Sequence, residues 1–254
     1  MAQPRIVTTG LVFELHAARW HAGTTHGVNS PLTSTLTGTS GSGYNATLSG
    51  TAGTAASGYA GSGVTGDPYA LVMDGNDYAA LSDLGVSEDK VFSFEAWFKT
   101  SVAAIQYLVR EAGATSVATL RVGSTGIIRG EVIDDASAVA RCDGPACADG
   151  LWHHAVMVCD GSYITTYLDG VAATPVAMPG GTLTQTVTRL SNNTTGLQGS
   201  LAVARAYSVA LSAAEVAQNY AAGYLWPRTF TPGSYLEPSS RYTLKLTDLD
   251  LPVL

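Results

Sequence analysis

Apolar and polar residues alternate with a period of two along many short segments of this chain, and that pattern predicts β-strands. The clearest segment is Val91–Lys99, in which every second residue is apolar. Successive side chains of a strand point to opposite faces, so one face carries Phe92, Phe94, Ala96 and Phe98. The other face carries Ser93, Glu95, Trp97 and Lys99. We therefore predict a strand buried on one side.

Similar segments predict further strands at Gly10–Leu15, Ala70–Met73, Ile105–Arg110, Thr119–Val122, Ile127–Ile133, His154–Val158, Tyr163–Leu168 and Leu201–Tyr207. Asp-Gly pairs tolerate the positive φ of tight hairpin turns. They begin at Asp74, Asp143, Asp149, Asp160 and Asp169. These pairs predict turns between strands.

One helix is predicted, and it begins late in the chain. Ser212-Ala-Ala-Glu215 has the pattern of a capping box, and Gly223 is suited to end the helix. The residues expected to face the sheets are Val216, Tyr220, Ala213 and Ala217. Many strands with one short C-terminal helix predict an all-β fold, a two-sheet antiparallel sandwich or jelly roll.

The segment from residue 20 to residue 66 contains no Asp, Glu, Lys or Arg and is rich in Gly, Thr and Ser. Its spaced apolar residues distinguish it from a plain linker, so we predict long loops and short strands inserted in one domain, residues 1–224.

Residues 225–254 are different: prolines come first, and alternating apolar residues follow. This predicts an extended C-terminal arm, which either docks or assembles with a partner or folds back on its own domain. The apolar residues of the arm are Tyr242, Leu244, Leu246 and Leu249.

Charge and composition exclude several classes of protein. The formal net charge is −7, which disfavours nucleic acid as a partner because phosphate binding needs a positive field. No apolar run reaches the length of a membrane-spanning helix. The first ten residues lack the apolar segment of a secretory signal, so we expect synthesis in a cytoplasm.

Three cysteines are present. The spacing of Cys142 and Cys147 fits neither a redox pair nor a zinc site, so free thiols are expected, with a local bridge between these two as the alternative. Cys159 lies in a strand pattern and is interpreted as a small buried hydrophobe.

Two groups of residues are candidates for binding. Calcium prefers oxygen ligands, which are offered by Asp74, Asn76 and Asp77; the alternative is an ordinary hairpin turn. Sugar rings stack on aromatic side chains, and the loop aromatics are Trp20, Tyr44 and Tyr59, with hydrogen-bonding neighbours at Asn45, Asn192 and Asn193. The alternative is that these aromatics pack onto the sandwich.

A series of motifs in order resembles the laminin-G-like jelly rolls of the concanavalin A-like lectin/glucanase superfamily. The matching pieces are Gly10-Leu-Val-Phe-Glu-Leu15, Ala70-Leu-Val-Met-Asp-Gly-Asn-Asp-Tyr78, Phe92-Ser-Phe-Glu-Ala-Trp-Phe98, Asp149-Gly-Leu-Trp-His-His-Ala155, Tyr167-Leu-Asp-Gly170 and Gly199-Ser-Leu-Ala-Val-Ala-Arg-Ala-Tyr207. The resemblance implies a concanavalin A-like sandwich. At positions where many relatives carry acidic residues, this chain has Ala202, Val203 and, at the end of the first strand, His16.

Retaining glucanases of that superfamily carry a strand with closely spaced acids, and this motif is absent here. The nearest acids, Glu131, Asp134 and Asp135, have the wrong spacing, so no catalytic residues are predicted. Adjacent His153 and His154 point to opposite faces of a strand and match the family's signature, which favours a structural role.

A lectin-like jelly roll with an extended arm also resembles the stand-alone laminin-G-like proteins of tailed bacteriophages. That resemblance implies a non-enzymatic virion protein, a minor tail protein that contacts host-surface glycans and other virion proteins as a homo-oligomer, without a resident cofactor. Repeated copies would supply avidity. The alternatives are a capsid decoration protein and a glycan-binding or glycan-hydrolysing protein of the same superfamily.

Overall fold

A computed structural model describes residues 5–17, 58–81 and 83–224, and for residues 35–37, 45–49 and 59 it describes the backbone alone. The predictions for Trp20, Tyr44 and the arm of residues 225–254 lie outside the described residues. Within the described part of the chain, no helix has the length and apolar character that crossing a membrane requires.

The described strands form two antiparallel sheets, which we call sheet A and sheet B. Along sheet A the order is β14 (Val171–Ala172), β13 (Tyr163–Leu168), β12 (Trp152–Asp160), β7 (Val91–Thr100), β17 (Gln198–Tyr207), β5 (Ala70–Asp74) and β4 (Gly58–Ala60). Beside this path, β1 (Leu11–His16) pairs with β17, and β15 (Val176–Ala177) pairs with β13. Along sheet B the order is β11 (Val139–Ala146), β10 (Ile127–Ile133), β9 (Val117–Val122), β8 (Gln106–Ala112), β16 (Val187–Ser191), β6 (Tyr78–Leu81), β3 (Asn45–Ser49) and β2 (Thr35–Thr37).

The inner faces of the two sheets enclose one hydrophobic core. Phe92, Phe94 and Phe98 of β7 pack there with Leu120 of β9 and Ile128 of β10, all of them buried. The predicted two-sheet antiparallel jelly roll is thus confirmed. The short strands predicted inside residues 20–66 are also present, since β2 and β3 extend sheet B and β4 extends sheet A.

Helix α1 (Ala213–Ala222) lies on the outer face of sheet A. Its capping box is present as predicted, because Ser212 accepts from the Glu215 amide and Glu215 accepts from the Ser212 amide, and Gly223 ends the helix at φ 71°. Val216 is buried, whereas Ala213 and Ala217 are exposed and Asn219 is buried in their place. The predicted helix face was therefore wrong at the two alanines.

The prediction that β7 is buried on one side was also wrong. Ser93, Glu95 and Trp97 on its outer face are all at most 5% exposed. Helix α1 and the residue before its cap cover this face: Tyr220 stacks on Trp97, Asn219 donates to Glu95 and the Leu211 amide donates to Ser93. A period of two along β7 alone cannot show this cover.

Four of the five Asp-Gly pairs form turns with a positive φ at glycine. The fifth, at Asp143, lies inside β11, so the turn predicted there was wrong. Glycine is required at residue 144 for a different reason: a Cβ there would come within 2.6 Å of the Ile128 side chain on the neighbouring strand.

All three cysteines are free, as expected, and all three are buried, which was predicted for Cys159 alone. Burial raises the pKa of the Cys147 thiol to about 12 and that of Cys159 well above its ordinary value. These thiols are therefore held protonated and unreactive.

Candidate functional site

Sheet B presents its outer face away from the core and from helix α1. An extra residue in β8 determines which side chains reach this face: Tyr107 pairs with Arg121 on β9, and Arg110 pairs with Thr119, with a register shift between them. Because Arg121 and Thr119 are two residues apart on β9, they share a face. The bulge therefore brings Tyr107 and Arg110 to the same side of the sheet.

A pair of arginines lies at the middle of this face. Arg110 on β8 and Arg189 on β16 are directly opposed in the register of the two strands, and both are half-buried. Each guanidinium lies near a tyrosine: Arg110 Cζ is 5.5 Å from the centre of the Tyr107 ring, and Arg189 Cζ is 5.1 Å from that of Tyr78. We call Tyr78, Tyr107, Arg110 and Arg189 the arginine–tyrosine face.

The neighbouring arginines of sheet B are held in ion pairs. Arg121 Nη2 donates to Glu131 Oε2 at 2.9 Å, and Arg141 donates to the same carboxylate. Arg129 donates to both carboxylate oxygens of Asp143. Burial alone would raise the pKa of Glu131, but hydrogen bonds from Arg121 and Arg141 outweigh it and lower that pKa. Glu131 is therefore an ion-pair residue and poorly suited to donate a proton.

The loop after β16 borders the arginine–tyrosine face. It contains Asn192 and Asn193, and its Thr195 carbonyl accepts from the Tyr107 amide at 3.0 Å. Asn192 donates from Nδ2 to Thr195 Oγ1 at 3.2 Å, whereas Asn193 is exposed. The loop that carries two of the sequence-predicted sugar-binding residues thus contacts, through Thr195, a tyrosine that was not predicted.

The other predicted sugar-binding residues within the described strands lie elsewhere. Asn45 is the first residue of β3 in sheet B. It lies at the opposite end of that strand from Ser49, which pairs with Tyr78. Tyr59 lies in β4 of sheet A, where it pairs with Leu71. Tyr59 therefore lies in sheet A, whereas the Asn192 loop, which joins β16 to β17, contacts Tyr107 of sheet B.

The predicted calcium residues form a turn between β5 and β6. The Asp74 amide donates to Asp77 Oδ2 at 3.2 Å, and the Asn76 amide donates to Asp74 Oδ1 at 3.3 Å. In the described part of the chain, no three His, Cys, Asp or Glu side chains gather in a metal-binding group. Calcium binding through Asp74, Asn76 and Asp77 stays a prediction, since a turn also uses these oxygens.

A second polar cluster is buried beneath helix α1. The register places Glu14, Arg205 and Glu95 in one row across β1, β17 and β7. Arg205 Nε donates to Glu14 at 2.8 Å, and its Nη1 donates to Glu95. Asn219 Nδ2 donates to Glu95 at 2.7 Å, while its Oδ1 accepts from the Val7 amide, also at 2.7 Å. This cluster ties the helix and the N-terminal segment to sheet A.

The two histidines point to opposite faces of β12, as predicted. His154 Nε2 lies 3.1 Å from Glu95 Oε1 and its ring packs on Trp97. His153 bridges two carboxylates, with Nδ1 2.8 Å from Asp169 and Nε2 3.0 Å from Asp149. The hydrogen bond with Asp169, followed by that with Asp149, raises the pKa of His153. Both histidines have structural partners.

Asp134, another of the three acids considered for catalysis, caps a turn. Its Oδ1 accepts from the amides of Ala136 and Ala138, and its Oδ2 accepts from the Gly181 amide at 2.7 Å. Both oxygens of this carboxylate thus accept from backbone amides. Asp134 therefore orders the loop after β10.

The two antiparallel sheets packed around a shared core define a jelly-roll sandwich. The family model described as "Concanavalin A-like lectin/glucanases superfamily" matches residues 73–217, more than half of the chain. The protein belongs to this superfamily. No curated protein matches the chain.

Solved structures share the fold at low sequence identity. Domain 4 of AbnA, a GH43 extracellular arabinanase from Geobacillus stearothermophilus solved with arabinotriose, has a TM-score of 0.63 at 17% identity, covering 83% of this chain and 98% of that one. The receptor-binding domain of a botulinum neurotoxin C/D mosaic serotype has a TM-score of 0.60 at 13% identity, covering 84% and 51%. The binding domain of botulinum neurotoxin DC in complex with SialylT has a TM-score of 0.61 at 8% identity, also covering 84% and 51%. This chain thus spans about half of the neurotoxin domains.

Sequence reasoning missed Tyr78, Tyr107, Arg110 and Arg189 as a group. In the sequence, Tyr107 and Arg110 are three residues apart, and a regular strand places such residues on opposite faces. The sequence held one signal, at Arg110, which ends the strand predicted at Ile105–Arg110, because unpaired arginine is rarely buried. No strand was predicted around Arg189, so sequence reasoning could not place Arg189 on this face.

Proposed function

We propose that this protein is a non-enzymatic carbohydrate-binding protein that holds its glycan on the arginine–tyrosine face. The observation that carries the proposal is the placement of two half-buried tyrosines and two guanidiniums together on an outer sheet face. Aromatic rings supply large contact areas at little entropic cost, and guanidiniums supply fixed donors for hydroxyl and acid groups. Such a surface is suited to a sugar chain.

The carboxylates of the same face support binding rather than catalysis. Glu131 is held by Arg121 and Arg141, and Asp143 is held by Arg129. Glycoside hydrolysis uses two carboxyl groups, one of which has a raised pKa. Here the pKa values of Glu131 and Asp143 are both lowered: arginine hydrogen bonds outweigh the effect of burial at Glu131, and the bond from Arg129 is the largest cause at Asp143.

We further propose that the protein works on a bacteriophage particle, as a minor tail protein that contacts host-surface glycans. The support is the resemblance of the motif series to stand-alone laminin-G-like phage proteins, together with the arm of residues 225–254. Tyr242, Leu244, Leu246 and Leu249 would then hold the domain to virion proteins by adding a strand to a partner's sheet. Mass spectrometry of purified particles tests this, and absence of the protein from them would refute it.

A glycan array screened with the purified protein tests the binding function. We expect specific binding, and we expect Tyr107→Ala to weaken it about tenfold or more by removing ring contact, which equals about 1.4 kcal/mol. Tyr163→Ala is the matched control, since Tyr163 is 50% exposed on β13 of sheet A. Equal loss in both variants, or no binding to any glycan, contradicts the proposal.

The same array run with calcium and with a chelator tests the Asp74, Asn76 and Asp77 prediction. If these oxygens bind calcium, the chelator weakens binding, and Asp77→Asn reproduces that effect in the presence of calcium. Glycan binding that is equal in both conditions would contradict a calcium-dependent glycan site at these three residues.

A further inference from the structure

Arg110 and Arg189 differ from every other arginine on the described outer face of sheet B. Arg121, Arg129 and Arg141 each donate to a carboxylate. Among the described residues, neither Arg110 nor Arg189 has an acidic partner, and this distinguishes the two from the other three. The Nε of each is also buried without a hydrogen-bond partner, a feature that Arg121 shares.

The arrangement is electrostatically unfavourable in the free protein. Like charges directly opposite on neighbouring strands destabilise a sheet, and these two residues are in register. Burial, together with the positive charge of Arg189, lowers the pKa of Arg110. The described strands of this face carry five arginines against Glu131 and Asp143, an excess of three positive charges on a chain whose net charge is −7. An anion held between the two guanidiniums would remove this repulsion.

We propose that Arg110 and Arg189 form a subsite for an oxyanion on the bound glycan, either the carboxylate of a uronic acid or a sulfate ester. The inference rests on the proposed function and gives its ligand a chemical class. Planar guanidiniums present paired N–H donors that match such groups. The rings of Tyr107 and Tyr78 lie beside the two guanidiniums, where they would contact the sugar that carries the anion.

Binding to three immobilised polysaccharides tests the subsite: polygalacturonate for carboxylates, dextran sulfate for sulfates and dextran as the neutral chain. Wild type, Arg110→Gln, Arg189→Gln and Arg141→Gln are compared at about 0.15 M ionic strength, where distant charges are screened. Arg141→Gln is the matched control, because it removes the same charge from the same face but from a guanidinium paired with Glu131.

We expect wild type to bind one of the anionic polymers and not dextran. Arg110→Gln and Arg189→Gln should each weaken that binding about tenfold or more, as expected for hydrogen bonds to a charged group, and Arg141→Gln should change it about threefold at most. The polymer that binds identifies the anion. Equal losses in all three variants would show a general positive field and overturn the subsite.

A competition measured on wild type alone keeps the test independent of the variants' folding. If polygalacturonate is bound, free galacturonate should displace it and galactose at the same concentration should not. If dextran sulfate is bound, a sulfated glucose should displace it and glucose at the same concentration should not. Equal displacement by both sugars refutes the subsite. Tyr107-dependent binding of neutral glycans alone would refute the subsite and leave the proposed function standing, whereas no glycan binding would refute both.

Discussion

Replacing Glu95 with glutamine removes the negative charge at the centre of the buried cluster beneath helix α1. Glu95 is fully buried, and its carboxylate accepts from Arg205, Tyr207 and Asn219 and lies beside His154. Glutamine keeps the shape of the side chain but leaves the Arg205 guanidinium with Glu14 as its remaining carboxylate partner. The substitution therefore tests what the charge contributes, separately from packing.

The expected magnitude follows from the pKa of Glu95. Burial alone would raise this pKa, but Arg205 and then His154 outweigh burial and lower it from 4.5 to about 2. At about 1.4 kcal/mol per pH unit, the folded protein favours the ionised form by about 3 kcal/mol. Removing one partner of a buried ion pair costs about 3–5 kcal/mol in other proteins. We therefore expect Glu95→Gln to lower the free energy of unfolding by about 3 kcal/mol at pH 7.

Urea unfolding followed by tryptophan fluorescence measures this change, with Glu88→Gln as the control because Glu88 is exposed. The control should change stability by about 0.5 kcal/mol at most. A lowered pKa in the folded state contributes stability above pH 4.5, and that contribution is lost as pH falls toward 2. The difference between wild type and Glu95→Gln should therefore shrink over this window. A difference below about 1 kcal/mol at pH 7, or one that is constant with pH, would refute the reasoning.

Three further predictions concern separate elements. The pKa of His153 is raised, chiefly by Asp169. The charged imidazole therefore contributes fully to folding stability below pH 6.5, and this contribution is lost as pH rises through the raised pKa. In thermal unfolding, His153→Gln should thus destabilise the protein more at acidic than at alkaline pH. Ser212→Ala removes the cap of helix α1 and should cost about 1 kcal/mol in urea unfolding, whereas Ser212→Thr should cost less. The three buried cysteines should resist a thiol reagent in the native protein and all react in denaturant, and rapid native labelling would contradict their burial.

Much of the sandwich was predictable because its strands follow a local period. Ile127–Ile133 and Tyr163–Leu168 have the predicted bounds, and the capping box at Ser212 was read from four residues. The burial of Glu95 was not predictable, since it depends on a helix more than 100 residues later in the chain. Local patterns identify elements, whereas the cover over a sheet is a tertiary property.

The arginine–tyrosine face escaped prediction for a related reason. The bulge at Leu108 lets Tyr107 and Arg110 share a face and lets Leu108 and Val109 both enter the core. A bulge reverses the alternation after it, so a pattern read with period two assigns the wrong side beyond that point. Arg189 then meets Arg110 only through the pairing of β16 with β8, across a long separation in sequence.

The position of β17 has a consequence for how the chain folds. This strand, residues 198–207, pairs along one side with β7 and along the other with β5 and β1, so it separates strands that are made much earlier by the ribosome. The strands on the two sides of β17 cannot join into one sheet until β17 has been synthesised, and β7 has an unpaired edge until then. Contacts of such long sequence separation slow folding to about milliseconds to seconds, and open edges invite aggregation. Nascent chains of this protein should accordingly depend on chaperones until residue 207 has left the exit tunnel.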